Sequence, residues 1–121
     1  MPIKSILIVD DSATDRQFLS DLLASNGYKV TTAQNADEAL AKAKELRPDL
    51  VLMDVVMPGQ SGFQATRTLS RDEATKKIPI IICTSKGQDT DKAWGRKQGA
   101  RDYIDKPVSA PELLAKISAL G

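Results

Sequence analysis

Leu50-Val-Leu-Met-Asp54 is a run of four apolar residues that ends in a carboxylate. A second run, Ile6-Leu-Ile-Val-Asp10-Asp11, has the same form and ends in two. A strand with one face in water alternates apolar and polar residues. These two do not, so both read as strands of a parallel sheet covered by helices on both faces. In open α/β sheets, ligands bind outside the carboxyl ends of the strands, where the strand order reverses. Gathered there, Asp10, Asp11 and Asp54 repel one another and require a cation. With no nitrogen or sulfur donor beside them, the ion that suits is hard and oxygen-loving, such as Mg²⁺.

The bulk properties narrow the rest. A chain of 121 residues, 41% hydrophobic and 27% charged, reads as one soluble domain over residues 1–121. A formal net charge of +1 supplies no field that favours nucleic acid or a membrane surface. No apolar run is long enough to cross a bilayer and Met1-Pro-Ile-Lys4 lacks a signal-peptide core, so a cytoplasmic location follows by default. Cys83 is the only cysteine and lies in Ile80-Ile-Ile-Cys83, where a buried small hydrophobe is expected. There is no histidine. A Ser-His-Asp triad, a Cys-His pair and histidine-ligated zinc are thereby excluded, and the chain cannot itself carry phosphohistidine.

Outward from the two runs, strands and helices alternate. Ser5–Val9 is the first strand. Ser12-Ala-Thr-Asp15 reads as a capping box that opens a helix with Phe18, Leu19, Leu22 and Leu23 at helical spacing, stopped by Asn26-Gly27. Val30–Ala33 is a second strand. Asn35-Ala-Asp-Glu38 caps a helix carrying Ala39, Leu40, Ala43 and Leu46, ended before Pro48. Leu50–Asp54 is the third strand, followed by a turn-rich loop from Met57 to Gly62 and a helix from about Phe63 to Ser70. Arg71–Lys77 reads as a solvated loop, Ile80–Thr84 as the fourth strand, Thr90–Gln98 as a helix ended by Gly99, and Tyr103-Ile104 as a short fifth strand. Ser109-Ala-Pro-Glu112 opens a last helix with Leu113, Leu114, Ile117 and Leu120 on one face. Five such alternations predict an α/β, doubly wound parallel sheet with right-handed crossovers.

Asp10-Asp11, Asp54, Thr84 and Lys106-Pro107 stand at the ends of strands one, three, four and five. Singly each is common; jointly they resemble the receiver domain of two-component response regulators, the CheY-like family, over essentially the whole chain. The resemblance implies a (βα)₅ flavodoxin-like fold with strand order 2-1-3-4-5. It implies Asp54 as phosphoacceptor. Mg²⁺ is then held by Asp10, Asp11, Asp54 and the backbone carbonyl of Val56. Thr84 and Lys106 contact the phosphoryl group, Thr84 and Tyr103 form the switch, and the Lys106–Pro107 bond is cis. Gly62-Phe-Gln-Ala-Thr-Arg67 and the stretch from Asp89 to Tyr103 look like the stand-alone regulators of type IV pilus twitching motility, the PilH type. That narrower resemblance implies a CheA-like sensor histidine kinase as phosphodonor. It also implies a protein target bound through the Thr90–Gln98 helix, the fifth strand and the last helix, that is, the face of helix 4, strand 5 and helix 5. Val56 and Lys86 depart from the best-known chemotaxis member, which has a polar residue and an acid at these positions.

The chemistry of the residues agrees. A carboxylate attacking phosphorus needs in-line approach and neutralised charge. Lys106 offers a flexible point charge and Thr84 a hydroxyl donor. Three other functions compete. A haloacid-dehalogenase-type phosphatase needs an acid two residues after the nucleophile, where Val56 stands and cannot move a proton. A flavodoxin-like electron carrier needs a phosphate loop after strand one, where Asp10-Asp11 stands. A pseudo-receiver that binds partners without phosphorylation has no use for the intact acid set.

Overall fold

The structure is a computed structural model. It describes residues 3–54, 62–85, 99–106 and 108–120, with Phe63, Thr84, Ser85 and Lys106 described by their backbone alone. Five strands, β1 (Ser5–Val9), β2 (Lys29–Ala33), β3 (Leu50–Asp54), β4 (Ile80–Ser85) and β5 (Asp102–Lys106), form one parallel sheet in the order β2-β1-β3-β4-β5. Among the described residues four helices cover it: α1 (Ala13–Ser25), α2 (Ala36–Leu46), α3 (Gly62–Arg71) and α4 (Ala110–Leu120). The expected Thr90–Gln98 helix lies outside the described residues. The sheet, its order and its flavodoxin-like winding are those expected.

The unbroken apolar runs explain the two-sided burial. Successive residues of a strand point to opposite faces. Ile6, Ile8, Leu50, Leu52, Ile81, Cys83 and Ile104 pack with Leu19 and Leu23 of α1 and Leu113 and Ile117 of α4. Leu7, Val9, Val51, Met53, Ile80 and Ile82 pack with Ala36, Ala39 and Ala43 of α2 and Ala65 and Leu69 of α3. α2 meets the sheet through small alanines and α1 through large leucines. Burying each such leucine or isoleucine contributes about 1.5–3 kcal/mol.

Capping works as the composition suggests. Ser12 Oγ accepts the Asp15 N–H at 3.2 Å, Asn35 Oδ1 accepts that of Glu38 at 2.9 Å, and Ser109 Oγ that of Glu112 at 3.4 Å. Gly27, just past α1, sits at φ +90°, and Gly99 at φ +108°.

Four local expectations are corrected. Phe18, expected on the buried face of α1, is 48% exposed. The stripe that meets the sheet is centred between Leu19 and Leu23. At 3.6 residues per turn Leu22 lies about 80° from that centre and Phe18 about 120°. Leu46 is 52% exposed, being the last residue of α2, three positions past the buried Ala43. The 71–77 segment is not wholly solvated: Arg71 still belongs to α3, and Thr75 is buried with its hydroxyl donating to the Leu69 carbonyl at 2.7 Å. The fifth strand is five residues long rather than two, because its whole length pairs with β4, from Ile81↔Asp102 to Ser85↔Lys106.

Candidate functional site

The chain leaves β1, crosses through α1 to β2 on one side, and returns through α2 to β3 on the other side of β1. The order therefore reverses between β1 and β3, and the crevice at their carboxyl ends is the place where such sheets bind ligands. The register aligns those ends. Val9 pairs with Met53, so Asp10 and Asp54 follow at the same level. Both are buried, at 2% and 6% exposure, while Asp11 is exposed. One carboxylate oxygen of each lies within 4.8 Å of the others.

Local bonds shape this cluster. The Asp10 N–H donates to the Ala33 carbonyl of β2 at 3.1 Å, extending the ladder one residue beyond β1. Asp10 Oδ1 accepts the Ser12 N–H at 2.9 Å. The Arg16 guanidinium, one turn into α1, donates to the Asp10 carbonyl at 2.8 Å. Arg16 escaped the sequence reading, although it left a signal. A cation in the first turn of a helix opposes the helix dipole and calls for a local reason. Three hard oxygen donors with no sulfur or imidazole suit a hard divalent cation rather than zinc or copper.

Of the remaining site residues, β4 and β5 carry Thr84 and Lys106 to the same end of the sheet. Cys83 pairs with Asp54 across β3 and β4, Thr84 pairs with Asp105, and Ser85 with Lys106. The side chains of Thr84 and Lys106, and all of Val56, Lys86, Trp94 and Pro107, lie outside the described residues. Tyr103 packs half-buried against the α2–α3 core. Its N–H donates to Asp102 Oδ1 at 2.8 Å, and Asp102 Oδ2 accepts from Lys116 of α4 at 3.1 Å. The same ammonium stands over the Tyr103 ring, 5.6 Å from its centroid.

Away from the site, three carboxyls are held below the ordinary range. Asp49 accepts the main-chain N–H groups of Lys4 and Ser5, Glu38 a bond from Lys42, and Asp72 the N–H of Ala74.

Residues 6–118 match the family model of the response regulator receiver domain. The chain is 52% identical over 115 residues to the protein PilH of Pseudomonas aeruginosa, covering 95% of each. It is 38% identical over 117 residues to the phosphate regulon transcriptional regulatory protein PhoB of Escherichia coli, where it spans 97% of this chain and 51% of that relative's length. Among solved structures it resembles the chemotaxis response regulator CheY4 of Vibrio cholerae, with a TM-score of 0.91, 34% identity and coverage of 98% and 99%. Sheet order, acid cluster and sequence similarity thus agree, and the chain belongs to the response regulator receiver domain family.

Proposed function

We propose that this receiver takes a phosphoryl group from a histidine kinase onto Asp54 and signals by changing the surface it offers a protein partner. The observation that carries this reading is the convergence of Asp10, Asp11 and Asp54 within 4.8 Å at the switch point of the sheet. Asp10, Asp11 and Asp54, with the Val56 carbonyl, would hold Mg²⁺, and the chemistry that ion supplies is neutralisation of phosphoryl charge beside the acids. An Asp54 carboxylate oxygen attacks phosphorus in line. The new O–P bond forms as the donor's N–P bond breaks, and the electron pair of that bond stays on the imidazole nitrogen, which takes up a proton. Lys106 then bonds a phosphoryl oxygen, and the Thr84 hydroxyl follows another. The chain catalyses its own phosphorylation and dephosphorylation, with the group ending on its own Asp54, so it is a phosphoacceptor rather than an enzyme.

Movement of Thr84 leaves space that Tyr103 can enter, which biases a two-state equilibrium of the face formed by β5, α4 and the helix expected from the sequence over Thr90–Gln98. Such couplings are typically about 1–3 kcal/mol. The similarity to PilH supports a CheA-like sensor kinase as donor and a role in twitching or chemotaxis-like motility. A phosphodonor of that kind sets the work in the cytoplasm.

The test is incubation with acetyl phosphate and Mg²⁺ followed by intact-mass measurement. Wild type gains one phosphate mass that Asp54→Asn does not. A phosphorylated Asp54→Asn, or wild type unmodified under these conditions, refutes the assignment.

A further inference from the structure

Successive side chains of an extended chain point to opposite sides. Asp10 and Asp11 are successive, yet an oxygen of each lies within 4.8 Å of the other and of Asp54. The chain must therefore turn at the peptide that joins them. That peptide contains the Asp10 carbonyl, the group to which Arg16 Nη1 donates at 2.8 Å. The Asp10 N–H is held by Ala33 and its carboxylate by the Ser12 N–H. The arginine is the side chain seen to grip the linking peptide itself.

We propose that Arg16 is a positioning residue for the cation site: its guanidinium fixes the plane of the Asp10–Asp11 peptide, and with it the angle between the two carboxylates. This rests on the reading of the acid cluster as a Mg²⁺ site. Two facts favour it over a helix-surface role. The half-buried guanidinium reaches back six residues along the chain to a main-chain oxygen. Its nearby acid, Glu38 on α2, is already engaged by Lys42 at 2.9 Å.

Charge alone and geometry alone predict opposite signs, which makes the idea testable. A nearby positive charge repels a cation, so removing it on electrostatic grounds strengthens Mg²⁺ binding. Removing a group that orients the ligands weakens it, typically about 10–100-fold for such outer partners. Mg²⁺ demands near-ideal octahedral geometry, whereas Ca²⁺ accepts irregular ligands. Loss of orientation therefore lowers the ratio of Mg²⁺ to Ca²⁺ affinity as well as Mg²⁺ affinity itself.

The experiment is calorimetric titration of the purified chain with MgCl₂ and with CaCl₂, for wild type, Arg16→Met, Arg16→Lys and Asp11→Asn. We expect Arg16→Met, which keeps the apolar stem, to lose about tenfold or more in Mg²⁺ affinity and much less in Ca²⁺ affinity. Arg16→Lys, at unchanged charge but shorter reach, falls between; it serves alone if the methionine variant does not fold. Equal or tighter Mg²⁺ binding in Arg16→Met overturns the proposal, as does an equal loss for both cations, which marks general loosening. If wild type and Asp11→Asn bind Mg²⁺ alike, the cation-site reading itself fails and the role of Arg16 falls with it. If Asp11→Asn loses Mg²⁺ but the arginine variants keep the wild-type ratio, the site stands and the positioning role alone is refuted.

Discussion

Asp49 ties the first and third strands together at the end of the sheet opposite the acids, and its removal has a size that can be worked out. Its Oδ2 accepts the Lys4 N–H at 2.9 Å and the Ser5 N–H at 3.0 Å, while its own N–H donates to the Ser5 carbonyl at 2.9 Å and the Ser5 hydroxyl at 3.1 Å. Asp49→Ala deletes the first pair, together with the weaker 3.4 Å bond from the Ser5 hydroxyl to the same oxygen, and keeps the second. A hydrogen bond to a charged group contributes roughly 1.5–3 kcal/mol when sheltered. Lys4 is exposed and water replaces the carboxylate there at little cost; Ser5 is half-buried and loses more. The sum is about 1–2 kcal/mol, which lowers the urea midpoint by roughly 0.5–1 M.

The pH dependence follows from the lowered carboxyl of Asp49, caused first by the Lys4 N–H and then by that of Ser5. A carboxyl whose folded value lies below its unfolded value contributes stability above the unfolded value, about 3.9, and loses it as pH falls through the folded one. The gap between wild type and Asp49→Ala should therefore be full at pH 7 and shrink below about pH 4. Urea unfolding at both pH values checks this. An equal gap at pH 3 and pH 7 removes the charge from the explanation, and no gap at pH 7 removes the bonds. The site lies roughly 16 Å away along β3, so phosphorylation of Asp54 should be unaffected.

Other outcomes follow from single contacts. Gly99 stands at φ +108°, where a Cβ would overlap the Ser70 side chain, Oγ and Cβ alike, while Gly27 at φ +90° has open space. Gly99→Ala should cost about 2–3 kcal/mol and Gly27→Ala about 1 kcal/mol by urea unfolding; equal costs would show that overlap with Ser70 contributes nothing. The Asp102–Lys116 pair is 23–29% exposed, so Lys116→Met should cost under about 1 kcal/mol. It should nevertheless shift the Tyr103 ring resonances, since the ammonium stands over that ring; unchanged resonances would count against the contact. Thr84→Ala should still accept phosphate on Asp54 yet lose the tightening of partner binding by beryllofluoride, and equal tightening in both proteins would refute a relay through Thr84.

The strands and the acids were legible in the sequence for one reason. A strand buried on both faces must be apolar throughout, so a charge at its end is conspicuous, and Leu50–Asp54 needs no partner to be read. Caps were legible as well, because Ser12, Asn35 and Ser109 act on N–H groups three residues away. What the sequence could not decide was how far each helix face reaches. Phe18 and Leu22 carry the same periodic signal, and only the line along which α1 meets the sheet, between Leu19 and Leu23, leaves one half-exposed and the other half-buried. The length of β5 was hidden too, since the charged Asp102, Asp105 and Lys106 flank the apolar Tyr103-Ile104 without a strand pattern of their own and join the strand through pairing with β4. Nor could spacing reveal that Arg16 reaches the Asp10 carbonyl or that Lys116 joins Asp102 beside Tyr103. Local pattern records what a residue needs, apolar cover or a capped N–H; which distant side chain supplies a charge is set by packing angles and strand order, which exist only once the chain has folded.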